Sequence, residues 1–481
     1  MEVLTHYNFD PEKAKEFAKT QNWAEIFKTR RDSIFCFAVR HKGKIYAVRD
    51  HLGITPLYYR LKGAPIASHD LNKIVKKGDE VNEEGAKFLV ISQTPKLVPV
   101  VKEIEIVPPG TVLEIDEKTR QTKVLYEYHI TPAKIKGITK KEFIKKWDQL
   151  FTKAIKDSIQ EKEVGLYLSG GMDSALIAIT LNKLGVKVNG YTSAPWGLKS
   201  SEVAYSKINA KVGKIKKHTI DSLKTETYLK SLENMLSIYG IPHAETTAIA
   251  VSHMWSTTNI GKEKQIYFGQ NSDTLSASVS HQNYLWWTHL FPGWGLLKKI
   301  VPLLQTYQSD LADHYITLIS EGLTTKCPDR IKKIINRSKL NLTQKITMAG
   351  MLLAHSPRDG EVLFQPGFNK GIIMSDPYYN IDLVELYLGL PFRFRMAFSR
   401  SQTLWFYHEK KILRWWALKY LPKKLVYRKK AFTVSLERNK RAKAFQKKLP
   451  TNFRGLKLAG CDQKVSTYVF SKWIKKKGLK P

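Results

Sequence analysis

Residues 163–174 read Glu163-Val164-Gly165-Leu166-Tyr167-Leu168-Ser169-Gly170-Gly171-Met172-Asp173-Ser174. Val164, Leu166 and Leu168 alternate as a strand requires. Ser169-Gly170-Gly171 supplies a turn free of Cβ obstruction, and Ile177, Leu181 and Leu184 then recur at helical spacing up to Gly185. A strand, a bare loop and a helix N-terminus thus follow one another. That junction aims several backbone N–H groups and the positive end of a helix dipole at one spot, where a phosphate can be held without side-chain charge. Ser169 and Ser174 add hydroxyl donors, and Asp173 is placed to hold Mg2+.

Outward from this loop the chain is β-rich on its N-terminal side. Residues 33–59 read as two strands joined by a Lys-Gly turn, then a loop with Gly53 and Pro56, then another strand. A helix is expected near 83–92, and the β pattern continues over 96–128 through Pro108-Pro109-Gly110. Past residue 140, Phe143, Trp147, Leu150, Phe151 and Ile155 mark a long amphipathic helix leading into the nucleotide strand. Strands at 186–192 and 264–269, with helices between them, complete the alternation of a parallel sheet, and the chain is mainly helical after about 280. The expected units are 1–133, 138–450 and a basic C-terminal extension, 451–481.

Composition sets the remaining bounds. A chain of 481 residues is long for one core, so two or three domains are expected. Cys36, Cys327 and Cys461 lie far apart without metal-type pairing, which fits a reducing compartment. The N-terminus lacks a basic stretch followed by an apolar core, and the aromatic patches near Trp286 and Trp294 are too short and interrupted to cross a bilayer. A soluble, cytoplasmic protein with no membrane role is expected. Lys and Arg number 79 against 43 Asp and Glu, a net +36 that attracts phosphate or nucleic acid. Much of that excess is dispersed as Lys-Lys pairs along helices, so nucleic acid is kept as a partner but not favoured.

The glycine loop has neither Walker spacing nor a dinucleotide Gly-x-Gly-x-x-Gly. Ser169 to Ser174 resembles the Ser-Gly-Gly-x-Asp-Ser loop of the PP-loop ATP pyrophosphatases, which grip the pyrophosphate of ATP while the α-phosphate is attacked. Arg49-Asp50-His51-Leu52-Gly53-Ile54-Thr55-Pro56-Leu57-Tyr58-Tyr59 resembles the Arg-Asp-x-x-Gly-x-x-Pro-Leu-Tyr-Tyr signature of asparagine synthetase glutaminase domains. Val107-Pro108-Pro109-Gly110-Thr111 is similar to a later turn of that domain. Gly269-Gln270-Asn271-Ser272-Asp273 stands where the family has Gly-x-Gly-x-Asp. Lys411-Ile412-Leu413-Arg414, Leu421-Pro422 and Arg428-Lys429-Lys430-Ala431-Phe432 resemble its C-terminal helix and Arg-x-Lys stretch.

The resemblance implies an α/β chain: a truncated N-terminal-nucleophile-type β-rich domain, then a PP-loop parallel-sheet domain with a helical C-terminal part. It implies an ATP-dependent ligase that adenylates a carboxylate and forms an amide, with ATP and Mg2+ as cofactors. Asp173 and Asp273 would share the Mg2+, and Lys430 would place its charge on the adenylate and on the oxyanion formed when an amine attacks. Ser169, Gly170, Gly171 and Ser174 would hold phosphate, and Leu168, Ser193, Phe268 and Gly269 would offer backbone contacts to adenine and ribose. Arg414 reads either as a phosphate ligand or as a helix-surface charge, and Glu202 either as an acidic site residue or as a helix cap. His243, His355 and His408 have no ligand-like spacing and are read as structural.

Two departures shape the expected activity. Family glutaminases begin with a nucleophilic cysteine, whereas residues 1 and 2 here are Met1 and Glu2, Cys36 lies inside a strand, and the glutamine-binding Arg-Gly-Pro-Asp-like and Asn-Gly-Glu-like segments are missing. No glutaminase activity is expected, leaving ammonia or an amine of the substrate as nitrogen donor, as in β-lactam synthetases and lasso-peptide cyclases. Pro242-His243-Ala244 and Pro377-Tyr378-Tyr379-Asn380 depart from aspartate-using members, so the carboxylate-bearing small molecule or peptide stays unspecified, and a homodimer stays open. The competing readings are a PP-loop tRNA-modifying enzyme and a non-catalytic nucleotide-binding descendant.

Overall fold

The computed structural model describes residues 1–92, 98–135, 137–194, 198–223, 225–242, 246–275, 338–353, 360–391, 394, 397–399, 406–408, 410–428, 450–453, 456–457 and 461–480. The N-terminal part is built on an antiparallel sheet. Its strands are β1 (Glu2–Tyr7), β2 (Cys36–His41), β3 (Lys44–Arg49) and, after a small sheet of β4 (Tyr58–Arg60), β5 (Ile66–Ser68) and β6 (Glu105–Ile106), β7 (Thr111–Asp116) and β8 (Thr122–Glu127). The large sheet runs β1-β2-β3-β7-β8. Lys42 and Gly43, both at positive φ, close the β2–β3 hairpin with the twist that such a two-residue turn needs.

Alternation along these strands feeds two cores. Phe37, Val39, Tyr46, Val48 and Val112 pack on Ala14, Ala18, Trp23, Ile26 and Phe27 of the helices Pro11–Thr20 and Trp23–Thr29. Cys36, Ala38, Ile45, Ala47, Leu113 and Ile115 point the other way, into a cluster continuous with Phe143, Trp147, Leu166 and Ile177. Each large side chain buried here contributes about 1.5–3 kcal/mol. Polar ties reinforce the joint: Arg31 donates to Asp382 at 2.9 Å and to Glu385 at 3.0 Å, while the Tyr7 hydroxyl donates to the Ile372 carbonyl at 2.8 Å and accepts from the Met374 N–H at 2.9 Å.

The Arg49-Asp50 motif is a structural knot. Arg49 is fully buried and donates to the carbonyls of Thr55, Val107 and Gly53 at 2.7, 2.7 and 2.6 Å. Asp50 accepts the N–H groups of Leu52, Ile54 and Thr55. Gly53 has φ +66, and a Cβ there would stand 2.7 Å from Pro109 Cγ, so the turn requires glycine.

The second sheet is parallel throughout: β9 (Glu163–Tyr167), β10 (Lys187–Ser193), β11 (Lys217–Asp221), β12 (Gln265–Tyr267) and β13 (Ile373–Ser375), in the order β11-β10-β9-β12-β13. The chain enters at the central β9, winds out to β11, then returns to the other side of β9. The switch of direction therefore falls between β9 and β12, where open α/β sheets bind ligands beyond the carboxyl ends of the strands. Val164, Gly165, Leu166 and Tyr167 are all buried, as a parallel strand covered on both faces must be. The helix Lys140–Ser158 begins with a Thr139–Glu142 capping box and buries Phe143, Trp147, Phe151 and Ile155 in the core cluster that also holds Val164 and Leu166 of β9. Its Asp148 accepts from Trp416 Nε1 at 2.7 Å and from Lys419 at 2.9 Å, which fixes the helix Lys411–Ala417 beside the site.

Within the segment read as a basic extension, residues 461–480 are folded. In the helix Cys461–Lys477, Phe470 and Trp473 pack on Val81, Ala86, Leu89 and Val101 of the N-terminal part, and Val81 N–H donates to the Lys480 carbonyl at 2.9 Å. No helix of the described residues is long and apolar enough to cross a membrane.

Candidate active site

Ser169, Gly170 and Gly171 leave the end of β9, and the helix Met172–Lys183 starts on Gly171 with no side-chain cap, so its first N–H groups face outward into the loop. The loop is braced from within. Ser174 Oγ accepts the Ser169 N–H at 3.1 Å and lies 3.1 Å from Ser169 Oγ, which accepts the Gly171 N–H at 3.0 Å. Asn209 Nδ2 donates to the carbonyls of Ser169 and Gly171 at 3.0 and 2.9 Å. The two carbonyls are thereby held by Asn209, while the amides of Ser169, Gly170 and Gly171 are taken by Ser174 Oγ, Glu202 Oε1 and Ser169 Oγ. Ser174 is buried and shapes the loop from below, whereas Ser169 is exposed at its rim. A Cβ on Gly170 would stand 2.8 Å from Tyr205 Cβ and 2.9 Å from the Glu202 carbonyl. The loop has no room for a side chain there.

Asp173 lies in the first turn of that helix, where a carboxylate is favoured by the dipole. Its Oδ2 accepts from Lys410 Nζ at 2.6 Å, and Lys410 also reaches Ser272 Oγ at 3.0 Å. Asp173 Oδ1 is buried with no hydrogen-bond partner among the described residues, an acceptor suited to a cation. Across the β9–β12 switch, Asp376 accepts the Asn271 N–H at 3.0 Å and the Tyr378 N–H at 2.9 Å. Burial, with the Asp173 charge as a further contribution, pushes the Asp376 carboxyl up to about 7. Among the described residues no group of three or more His, Cys, Asp or Glu gathers as a metal cluster.

The other predicted residues distribute as follows. Asp273 belongs to the helix Asn271–Leu275, which starts just beyond β12, but its side chain, like Lys430, His243, His355 and the side chain of His408, lies outside the described residues. Leu168 is buried, with its carbonyl accepting from Thr192 Oγ1 at 2.5 Å. Ser193 Oγ is buried without a partner among the described residues, at the end of β10. Phe268 donates its N–H to the Ser375 carbonyl at 2.9 Å, and Gly269 packs so closely on Ile177 that a Cβ would stand 3.0 Å from its Cδ1. Arg414 donates to the Val426 carbonyl at 3.3 Å and lies over the Tyr427 ring, bracing the segment that leads to Arg428. Glu202 follows the true N-cap, Ser200. Its Oε1 accepts the Gly170 N–H at 2.6 Å and its Oε2 accepts from Arg428 Nη2 at 2.9 Å.

Sequence reasoning did not single out Lys410, Asp376 or Asn209, and it named Arg428 only as the arginine of the Arg-x-Lys stretch, without a role. Lys410 stands beside the quoted Lys411-Ile412-Leu413-Arg414, and Asp376 precedes the quoted Pro377. Only the fold brings them to the loop. A separate open cleft of about 900 Å3, lined by His6, Asn8, Gln160 and Ile373 among others, lies at the opposite, amino end of the parallel sheet and takes no part in this arrangement.

Comparison with known proteins adds the following. The asparagine synthase family matches residues 146–323 and the glutamine amidotransferase domain family matches residues 17–128. A putative glutamine-hydrolyzing asparagine synthetase 2 of Methanocaldococcus jannaschii is 26% identical over 151 residues, which cover 30% of this chain and 29% of that protein. The chain therefore aligns with under a third of that relative's length. An NH3-dependent NAD synthetase from Campylobacter jejuni, solved with nitrate ion, aligns at 15% identity over 44% of this chain and 97% of its own, with a TM-score of 0.22.

Proposed function

We propose that this chain, a member of the asparagine synthetase family, is an ATP-dependent ligase that adenylates a carboxylate and passes the acyl group to an amine, releasing AMP and pyrophosphate. The observation that carries the reading is the pairing of a glycine loop that opens a helix with the buried Oδ1 of Asp173, unpartnered among the described residues, at the switch between β9 and β12. ATP would lie over the carboxyl ends of β9, β10 and β12. The phosphates would take the amides of Gly170 to Asp173, and adenine and ribose would lie along Leu168, Ser193, Phe268 and Gly269.

Asp173 and Asp273 would hold Mg2+, which when bound supplies positive charge to the leaving pyrophosphate. In the first step the substrate carboxylate oxygen bonds to the α-phosphorus as the bond to the bridging oxygen breaks. In the second, the amine attacks the acyl carbon, loses a proton to solvent or base, and expels AMP. Lys430 would offset the oxyanion formed in that second step, and Lys410, already paired with Asp173, adds fixed charge on the phosphate side. A closed, low-dielectric site makes both charges count for more than they do in water.

The nitrogen is proposed to come from ammonia or from a substrate amine. Cys36 supports this, because burial pushes its thiol far up, away from the thiolate that a glutaminase nucleophile needs. The same reading divides the chain at 1–133, 138–450 and 451–481 and places the protein in the cytoplasm. The test is product identity: with ATP, a panel of amino acids and peptides, and hydroxylamine as nucleophile, AMP and an acyl hydroxamate should form together. Release of ADP in place of AMP would refute adenylation.

A further inference from the structure

Glu202 occupies the loop in the manner of a phosphate. Its carboxylate takes the Gly170 N–H through one oxygen at 2.6 Å and the Arg428 guanidinium through the other at 2.9 Å, the two kinds of donor that phosphate-binding loops direct at their ligand. Arg428 is built in rather than solvated: its side chain is 6% exposed, its guanidinium lies 4.7 Å from the centre of the Tyr205 ring, and Nη2 comes within 3.1 Å of where a Cβ on Gly170 would be. Arg428 Nη1 is buried with no acceptor among the described residues. A buried guanidinium with one arm spent on a carboxylate and one arm idle, against an amide loop, is an anion site with donors to spare.

We infer that Gly170 N–H and Arg428 form the phosphate subsite of this loop, and that Glu202 is a resident anion that the nucleotide's phosphate displaces. This rests on the ATP reading above. Glu202 lies in the first turn of the helix Ser201–Val212 and can swing outward about its own side-chain torsions, so displacement requires no movement of the loop. Arg428 then keeps its place on Tyr205 and exchanges a carboxylate partner for a phosphate, with Nη1 as a second donor in a bidentate grip.

The test is direct binding of Mg2+-pyrophosphate, Mg2+-ATP and adenosine to the whole protein by calorimetry, for the wild type, Glu202→Gln and Arg428→Gln. Removing the competing charge in Glu202→Gln should tighten pyrophosphate and ATP about tenfold, and losing the guanidinium in Arg428→Gln should weaken both about tenfold or more. Adenosine should bind all three alike. Unchanged or weaker pyrophosphate binding by Glu202→Gln would overturn the displacement, and unchanged binding by Arg428→Gln would overturn the subsite. Should Arg428→Gln fail to fold, Arg428→Lys keeps a charge but loses the fork. It should weaken pyrophosphate while sparing adenosine, and equal affinity would again overturn the subsite. Failure of the wild type to bind ATP at all would remove the ATP reading itself, an outcome distinct from these.

Discussion

Replacing Lys410 by Met takes away the cation that faces Asp173, and the consequence can be worked from the geometry. The two charges are 2.6 Å apart with side chains only 7% and 14% exposed. At an effective dielectric of about 20, that separation is worth about 6 kcal/mol of attraction, and desolvation of both groups offsets a good part of it. Loss of one member of such a pair leaves the other charge uncompensated. Here Asp173 would also face Asp376, whose carboxyl is already pushed up to about 7. We expect Lys410→Met to cost about 3 kcal/mol, lowering the thermal midpoint of a unit as large as 138–450 by about 5 °C. Asp173→Asn should cost less, since Lys410 keeps its bond to Ser272. The double variant should regain stability relative to the sum of the two, with a coupling of about 2 kcal/mol in a double-mutant cycle read by scanning calorimetry. A coupling under about 0.3 kcal/mol would refute the view that these groups form one buried pair.

Three other outcomes follow from particular contacts. Gly170→Ala should leave the fold intact but abolish ATP turnover, because the new methyl meets the Glu202 carbonyl at 2.9 Å and Tyr205 Cβ at 2.8 Å; normal AMP release by this variant would contradict the tight-loop account. Arg49→Met should cost about 3–5 kcal/mol, since it strips three buried carbonyls of their donor and leaves Asp50 without its counter-charge, and a variant with the wild-type midpoint in urea would disprove the knot. His51, pushed down to about 3 by burial, and His69, pushed down to about 4, are neutral in the fold. The unfolded chain takes up their protons below about 6.5, so their stability contribution is present above that pH and lost as pH falls toward 3–4. Stability measured from pH 7 to 4.5 should decline less steeply in His51→Gln than in the wild type, and an identical slope would exclude His51 as a source of acid lability.

The strand–glycine loop–helix junction was legible because each of its parts is local: an apolar strand, two glycines and a helix within a dozen residues. The parallel character of the second sheet was legible in the alternation of strands and helices, but its order β11-β10-β9-β12-β13 was not, because strand neighbours are set by contacts distant in sequence. The Arg49-Asp50 stretch was legible as a motif but not as a knot, because its partners include the Val107 carbonyl, distant in sequence. Lys410 was hidden for a different reason. It sits among other lysines, and only packing of the helix Lys411–Ala417 on Asp148 brings it to Asp173, far away along the chain. Arg428 was legible as part of the Arg-x-Lys stretch, but its link to Glu202, far away along the chain, has no local signature. At the C-terminus the lysines of 475–477 masked Val465, Val469, Phe470 and Trp473, which bury one face of a helix.

Exchange of labelled pyrophosphate into ATP tests the central claim most directly, because it requires a reversible adenylate held by this loop. With the correct acid present, the wild-type chain should catalyse exchange that depends on that acid, and Asp173→Asn should reduce it to background. Exchange that proceeds equally well in Asp173→Asn, or that runs at full rate without any carboxylate, would contradict the account.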